Sequence, residues 1–458
     1  MSLKKIELKG LRGFATVQYL EFAIPNGDPG SGITTLVGPN NGGKSTVIEA
    51  IRALSLRDPP SFTVGKRNQK AGDRVKITVF NELAQTKELC TIDAGGSETH
   101  WVVNNDPLPP GSVFVLPSRR YFNPLFGKAS SERQSYIISY GLPQTRGSVI
   151  DHFASRLFQV QKNRTAFDSV LGKVLSPVPN WTIDQSDGGQ YFLKFDFGGF
   201  YHNSDGLGEG LVSLFFIIDA LYDSKPNDII VIDEPELSLH PSFQRKLASL
   251  LVDYASNRQI IIATHSPYFV DFHAITNGAK IARIYSDDFN STIRMLSEDS
   301  VSRIKGFLNN SFNPHVLGLD AREVFFLEER IILVEGQEDV VFYKDISSQL
   351  DKQLNGNFFG WGVGGAHNME IIAALLQDLG FKKVVGILDE DKKELIPELK
   401  GKFPDYNFFN IPAKDVRTKP AIAAKDSVIG LIDKSGVLKL EYKDEVNGLF
   451  DQINAKLA

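Results

Sequence analysis

Residues 38–45, with the sequence Gly-Pro-Asn-Asn-Gly-Gly-Lys-Ser, satisfy the pattern GxxxxGK[ST] of a phosphate-binding loop. Its glycines let backbone N–H groups wrap phosphates, Lys44 would neutralise the β and γ phosphates, and the Ser45 hydroxyl would complete Mg²⁺ coordination. An apolar run precedes the loop and a helical pattern follows it over 46–54. The pattern predicts an ATP site composed of Gly38, Asn40, Asn41, Gly42, Gly43, Lys44, Ser45 and Thr46.

A second chemical segment, residues 228–235, has the pattern of a Walker B strand, in which an apolar run ends in two carboxylates. Asp233 would hold Mg²⁺ directly or through water, and Glu234 would orient and deprotonate the attacking water. One strand further along, His265 stands where ABC-type ATPases keep the histidine that contacts the γ-phosphate. ATP hydrolysis is therefore predicted, with Glu234 and His265 as catalytic residues.

Between these motifs, residues 204–210 resemble the signature loop of ABC ATPases and precede an apolar helical pattern over 211–221. In that family the loop reaches the γ-phosphate bound by the other subunit, so the resemblance implies that two heads dimerise. Two alignments are open, one centred on Ser204 and Gly206 and the other on Gly208 and Gly210.

The last third of the chain carries a second set of carboxylates at the ends of apolar runs. Glu335 follows one run and Asp339 lies four residues later, while Asp389 and Asp391 form a DxD after another. A helix starting after Gly336 would let Glu335 and Asp339 converge on one ion, and the two acids of an extended DxD turn share a side. Mg²⁺ and Mn²⁺ prefer such oxygen ligands. The arrangement matches the Toprim pattern of topoisomerases, primases and certain nucleases.

Each of these chemical residues follows a predicted buried strand, which suits an open α/β sheet because ligands bind at the carboxyl ends of its strands. The predicted strands are 34–37, 229–232, 260–263, 331–334 and 384–388. A further strand is expected at 75–80 and helices at 149–174, 339–349 and 368–379. We therefore predict an α/β fold, with an ABC-type P-loop ATPase domain over 1–328 and a smaller Toprim (Rossmann-like) α/β domain over 329–458.

Composition sets outer limits on function. The 458 residues are enough for two cores, and no apolar stretch is long enough to span a membrane, so a cytoplasmic protein is expected. The single cysteine, Cys90, excludes an intrachain disulfide and is given no role. With a formal charge of −5, any nucleic-acid surface must be local. The basic triplets at 118–120 and 162–164 are interpreted as solvated surface.

These motifs together, with the segment 233–241 after Walker B and Phe325–Phe326 before Glu335, resemble the OLD (overcoming lysogenisation defect) family of ATP-dependent endonucleases. The resemblance implies an ATPase fused to a Toprim nuclease, acting on DNA and related to antiphage effectors. In that family an ExxxD, here Glu335 and Asp339, and a DxD, here Asp389 and Asp391, hold two metals. The family's late lysine corresponds to Lys419, with Lys414 second. Its further acidic ligand after the DxD has no clear counterpart.

Three functions are compatible with these motifs. The first is an ATP-regulated, Mg²⁺- or Mn²⁺-dependent DNA endonuclease that forms a homodimer or larger homo-oligomer. The second is an ATP-switched sensor whose Toprim domain is degenerate and which acts through a partner protein. The third, an ABC transporter subunit, is disfavoured by the Toprim extension.

Overall fold

The computed structural model describes residues 2–56, 58–108, 113–118, 120, 150–196, 198–203, 208–309, 316–326, 330–421 and 426–458. The chain divides into two compact units, residues 1–293 and 294–458. None of the helices in the described ranges combines the length and apolarity needed to cross a membrane.

The first unit is built on a six-stranded sheet with the order β14-β13-β3-β12-β11-β7. The four neighbouring pairs from β13 to β7 are parallel. All residues of β3, β11 and β12 are buried, as is typical of a parallel sheet that is covered on both faces. The strands of this sheet are β3 (Ile33–Val37), β7 (Val113–Leu116), β11 (Ile229–Asp233), β12 (Gln259–Ala263), β13 (Lys280–Asp287) and β14 (Asn290–Met295).

Two antiparallel sheets complete the first unit. The larger has the order β2-β1-β4-β5-β6 and comprises β1 (Leu3–Lys9), β2 (Gln18–Glu21), β4 (Lys76–Asn81), β5 (Thr86–Thr91) and β6 (Thr99–Asn104). The smaller has the order β10-β9-β8 and comprises β8 (Asn180–Gln185), β9 (Tyr191–Asp196) and β10 (Tyr201–Asn203). The helices are α1 (Lys44–Ser55), α2 (Ile150–Lys162), α3 (Arg164–Leu171), α4 (Glu209–Asp223), α5 (Pro241–Tyr254) and α6 (Phe272–Thr276).

The second unit has a four-stranded parallel sheet with the order β16-β15-β17-β18. Its strands are β15 (Ile331–Leu333), β16 (Asn357–Phe358), β17 (Val384–Leu388) and β18 (Asn407–Asn410). Its helices are α7 (Glu298–Leu308), α8 (Leu319–Glu323), α9 (Gln337–Gln349), α10 (Met369–Asp378), α11 (Ile396–Lys402) and α12 (Leu440–Leu457). Side chains of β15, β17, α9 and α12 form one apolar core that fixes the edge of the sheet where the carboxylates lie.

The predicted strands and the α/β class are confirmed, and no strand end differs from the prediction by more than one residue. The predicted helix over 149–174 is instead two helices, α2 and α3. They are separated at Asn163, whose φ of −128° and ψ of 50° are not helical. Residue 149 lies outside the described residues.

The structural division after Ile293 comes earlier than the predicted boundary after residue 328. The segment between the two positions packs with the second unit. Ser297 donates from its backbone N–H to Asp378 over 2.8 Å, and Arg303 bonds Glu370 over 2.9 Å. Because of these contacts, α7 belongs to the second unit, although α7 precedes the first strand of that unit's sheet.

Candidate functional site

The predicted phosphate-binding loop connects β3 to the start of α1. Gly38 and Gly43 have φ of 125° and 121°, in the region that favours glycine. A Cβ at Gly38 would stand 2.3 Å from the carbonyl oxygen of Ile284, so the close approach of that backbone also requires glycine. Asn40 and Asn41 are exposed at the tip of the loop, and Thr46 is buried in α1.

Lys44 lies folded against its own loop. Its Nζ donates to the carbonyl oxygens of Gly38 and Pro39 over 2.8 and 2.9 Å. Burial lowers the pKa of Lys44 to about 8, although Asp233 and Glu234 favour its charged form. The cation is thus held at the mouth of the loop, where phosphates would be bound.

Asp233 ends β11 beside the phosphate-binding loop. Both β3 and β11 are neighbours of β12, so their carboxyl ends meet at one edge of the sheet. Ser45 Oγ lies 3.4 Å from Asp233 Oδ1. Burial, followed by repulsion from Glu234, raises the pKa of Asp233 to about 6. The structure therefore brings together the hydroxyl and the carboxylate that the sequence assigns to Mg²⁺.

Glu234 occupies a strained turn directly after β11. Its φ of 49° is left-handed, which is unusual for a residue with a side chain. Its backbone N–H donates to the carbonyl oxygen of Ala263 over 2.7 Å. A conformation of this kind persists only where the surrounding structure imposes it.

Arg120 lies beneath this turn and is only 6% exposed. Its guanidinium donates four hydrogen bonds of 2.7–2.8 Å, to the carbonyl oxygens of Pro117, Asp233 and Glu234 and to Ser213 Oγ. Burial lowers its pKa to about 10. The interpretation of the triplet 118–120 as solvated surface is wrong for this residue, while Arg119 lies outside the described residues. A basic residue shortly after the apolar run 113–116 was the available signal.

The second basic triplet also serves the fold. Arg164 Nε bonds Asp168 Oδ2 over 2.7 Å, and the guanidinium contacts the carbonyl oxygen of Trp181. Interpretation of this arginine as solvated surface is therefore wrong as well, because it joins α3 to β8.

His265 follows β12 and is held by Glu236. The Glu236 carboxylate accepts from the backbone N–H of His265 over 2.6 Å and from Thr264 Oγ1 over 2.8 Å. Burial, followed by the charge of Lys44, lowers the pKa of His265. The lowered pKa of His265 favours the neutral form of its imidazole. Glu236 was not predicted as a site residue, although it is the third acid of the Asp-Glu-Pro-Glu segment.

The signature loop is described only from Gly208 onward. Ser204 and Gly206, the first alignment, lie outside the described residues. Gly208 is the N-cap of α4, and Gly210 lies in its first turn. A Cβ at Gly210 would stand 2.2 Å from the carbonyl oxygen of Ser238, which fixes the start of α4 against the loop after Walker B.

In the second unit, Glu335 and Asp389 follow β15 and β17, which pair in parallel. The Asp389 N–H donates to Glu335 Oε1 over 2.9 Å. Helix α9 starts at Gln337, two residues before the predicted start at residue 339, and its third residue, Asp339, accepts from the Gly336 N–H over 2.8 Å. The structure thus places Glu335, Asp339 and Asp389 at one edge of the sheet.

Asp339 is buried, Glu335 and Asp389 are half-buried, and the carboxyl groups repel one another. The pKa of Asp389 is raised to about 9, chiefly by burial and next by the charges of Glu335 and Asp339. The pKa of Asp339 is raised to about 6, chiefly by burial and also by the charge of Glu335. The hydrogen bond from the Gly336 N–H opposes this rise. The pKa of Glu335 is also raised, chiefly by burial. Asp415 contributes to all three shifts and therefore lies in the same cluster.

Asp415 is the residue that the sequence did not reveal. It stands in the loop after β18, the strand beside β17, where the family's further acidic ligand was expected and not found. Lys419 Nζ contacts Asp415 Oδ2 and lies 3.2 Å from Glu338 Oε2. Lys419, the first lysine candidate, is thus beside the cluster, whereas Lys414 is exposed.

Asp391 does not share the position of Asp389. The segment Glu390–Leu395 is a 3₁₀ helix and not the extended turn that was predicted. Asp391 pairs with Lys392 over 2.8 Å, and its side chain is 46% exposed. With three residues per turn, positions two apart point in different directions, so Asp391 lies at the rim of the cluster.

Oxygen donors of this kind suit a hard divalent cation. Within the described ranges, no three His, Cys, Asp or Glu side chains already stand close enough to hold a metal ion together. The fit to a metal rests instead on the donor set, because partly buried like charges that raise one another's pKa values are stabilised by a cation.

Two family models match the chain. One, described as "AAA domain, putative AbiEii toxin, Type IV TA system", covers residues 120–271. The other, described as "AAA domain", covers residues 5–163. Their combined range contains the phosphate-binding loop, Walker B and His265, which agrees with a P-loop ATPase fold for the first unit.

Three curated relatives extend this comparison. The chain is 25% identical to "OLD nuclease" of Thermus scotoductus over 85% of its own length and 82% of the relative's. It is 25% identical to "Endonuclease GajA" of Bacillus cereus, over 42% of this chain and 32% of the relative. It is 23% identical to "Septu protein PtuA" of Bacillus thuringiensis, over 75% and 92% of the two chains. These similarities, together with the ATPase motifs and the second carboxylate site, support the resemblance to the OLD family.

Proposed function

We propose that this chain is an ATP-hydrolysing, metal-dependent DNA endonuclease. The observation that carries the proposal is the carboxylate cluster of Glu335, Asp339, Asp389 and Asp415, which shares a chain with a P-loop and a Walker B strand. Relatives that are named nuclease and endonuclease support the same activity. DNA is the proposed substrate.

The first unit would bind and hydrolyse ATP. Lys44 and the backbone of the glycine loop would hold the phosphates, while Ser45 and Asp233 would hold Mg²⁺. Glu234 would orient and deprotonate the attacking water, and the neutral His265 would contact the γ-phosphate. The Gly208–Gly210 start of α4 would face the nucleotide of a second head, which makes a homodimer or larger homo-oligomer the proposed state.

The second unit would hydrolyse phosphodiester bonds. Glu335, Asp339, Asp389 and Asp415 would hold Mg²⁺ or Mn²⁺, with Asp391 at the rim. When bound, the ions would activate water and stabilise the leaving oxygen. Lys419, held by Asp415 and Glu338, would lie beside the scissile phosphate. Asp415 supplies the acid that the family pattern requires, which supports a competent site.

The cellular role follows from the family. We place the protein in antiphage defence or DNA processing, because the relatives include "Septu protein PtuA" and "Endonuclease GajA". A partner protein of a defence system fits the same role. Binding of ATP would control the access of DNA to the second site.

The test measures both activities on one set of purified full-length proteins. Nicking of supercoiled plasmid is followed with Mg²⁺ or Mn²⁺, and phosphate release is followed with ATP. Glu335→Gln should abolish nicking and retain ATP hydrolysis, whereas Glu234→Gln should abolish hydrolysis. Asp405→Asn is the matched control, since Asp405 is an exposed acid of the second unit.

Nicking that persists unchanged in Glu335→Gln would contradict the assigned nuclease site. ATP hydrolysis without nicking under every metal condition would instead favour the ATP-switched sensor that acts through a partner.

A further inference from the structure

Arg120 joins three separate parts of the first unit. Through Pro117 it is fixed to the end of β7, through the carbonyl oxygens of Asp233 and Glu234 to the Walker B turn, and through Ser213 to α4. All four bonds are between 2.7 and 2.8 Å long, and the side chain is buried. A planar guanidinium can hold several acceptors at once in a fixed geometry, which a lysine ammonium cannot reproduce.

The Walker B turn requires such support. Glu234 has a φ of 49°, and its N–H donates to Ala263. Its carbonyl oxygen accepts from Arg120 over 2.8 Å and from the Leu237 N–H over 3.1 Å, so Arg120 is the one side chain among these supports. Loss of one support would let the turn relax and would displace the Glu234 carboxylate. A misplacement of about 1 Å can lower a catalysed rate by about 100-fold.

The other end of the Arg120 network lies in the helix that follows the signature loop. Ser213 is in the second turn of α4, and the N-cap of that helix is Gly208. Helix α4 is rigidly packed, with nine buried residues between Ser213 and Leu221. A shift of the helix would therefore be transmitted through Ser213 and Arg120 to the backbone of Asp233 and Glu234.

We propose that Arg120 is a positioning residue for ATP hydrolysis, which holds the Glu234 turn in register with helix α4. The inference rests on the proposed hydrolysis of ATP by Glu234. Arg120 exchanges no proton and bonds only the backbone of the Walker B turn, so it acts through Glu234. Its bond to Ser213 makes the position of the catalytic carboxylate depend on the start of α4, where a second head would engage.

The test compares Arg120→Ala, Arg120→Lys and Arg258→Ala in the full-length protein. Arg258 is the matched control because it bonds Ser224 at the other end of α4, over 2.8 and 2.9 Å. Steady-state kcat, single-turnover hydrolysis and the Kd for a fluorescent ATP analogue are measured, and folding is checked by circular dichroism. Both Arg120 variants should lower kcat and the single-turnover rate by about 100-fold. Their Kd should stay within about threefold of wild type, and Arg258→Ala should retain wild-type rates.

An arginine that serves only the fold would give a different result, with Kd, melting temperature and rate declining together. Ser213→Ala provides a milder variant, which removes the link to α4 and leaves the bonds to Asp233 and Glu234 in place. It should lower kcat, and it should have little further effect in an Arg120→Lys background, because coupled residues are not additive.

The outcomes separate this inference from the proposed function. Wild-type hydrolysis with an unchanged kcat in Arg120→Ala, or an unchanged kcat in Ser213→Ala, would overturn the role of Arg120 alone. A wild-type protein that binds ATP and does not hydrolyse it would overturn both.

Discussion

The backbone N–H of Asp389 donates to the Glu335 carboxylate over 2.9 Å and ties together the ends of two neighbouring strands. This bond orients Glu335 at the edge of the second sheet. It also brings the first acid of the DxD to the acid that follows β15, although 53 residues separate them in the sequence. The two motifs therefore form one site, and four predictions concern that site and its counterpart in the first unit.

Asp415→Asn should weaken Mn²⁺ binding by at least about 10-fold, which is the lower end of the effect of losing even an outer partner of a metal. Nicking should decrease with it, because Asp415 lies among Glu335, Asp339 and Asp389. Mn²⁺ binding is measured by calorimetry and nicking on plasmid DNA, with Asp405→Asn as the control. Equal binding in both variants would remove Asp415 from the site.

Lys419→Ala and Lys414→Ala should differ although the two lysines are five positions apart. Lys419 is held between Asp415 and Glu338, whereas Lys414 is exposed. Loss of Lys419 should lower the nicking rate at saturating metal by about 10-fold or more, as loss of a fixed cation near developing charge does. Loss of Lys414 should leave the rate unchanged. Equal rates for the two variants would argue against Lys419 as the family's late lysine.

Without metal, stability should fall as pH rises. The pKa of Asp389 is raised from 3.8 to about 9, chiefly by burial and then by Glu335. The folded chain therefore binds this proton more tightly than the unfolded chain does, and the resulting stability is present at low pH and is lost as pH rises through about 9. Thermal unfolding in chelator should show a lower melting temperature at pH 9 than at pH 7. Asp389→Asn should reduce that difference. An identical pH dependence in wild type and Asp389→Asn would contradict the raised pKa of Asp389.

Gly210→Ala should destabilise the first unit, whereas Gly208→Ala should not. A Cβ at Gly210 would stand 2.2 Å from the Ser238 carbonyl oxygen, whereas one at Gly208 would have no atom within 4 Å. The expected loss for Gly210→Ala is about 1–3 kcal/mol, since α4 or the Ser238 turn must move. Denaturant unfolding measures it. A stable Gly210→Ala protein would show that the helix start adapts without strain.

The sequence predicts those parts of the fold and sites that depend on local pattern. The residues 229–232 and 384–388 of two buried strands are continuous apolar runs, and the carboxylates directly after them could be assigned from spacing alone. The phosphate-binding loop could be assigned in the same way, because its residues are adjacent in the sequence.

Asp415 and Arg120 could not be found in this way, because their roles arise from sheet order. Asp415 follows β18, which joins the site only because β18 pairs with β17. Arg120 follows β7, which reaches Walker B only because β7 pairs with β11. The rim position of Asp391 depends on a 3₁₀ helix in a charged segment, whose composition equally suits an extended turn.

The proposed nuclease activity is tested first by the nicking of supercoiled plasmid by wild type and Asp389→Ala, with Mg²⁺ or Mn²⁺ and with or without ATP. We predict metal-dependent nicking by wild type, a rate that changes with ATP, and no nicking by Asp389→Ala. Equal nicking by the two proteins, or none by wild type under any of these conditions, would contradict this prediction.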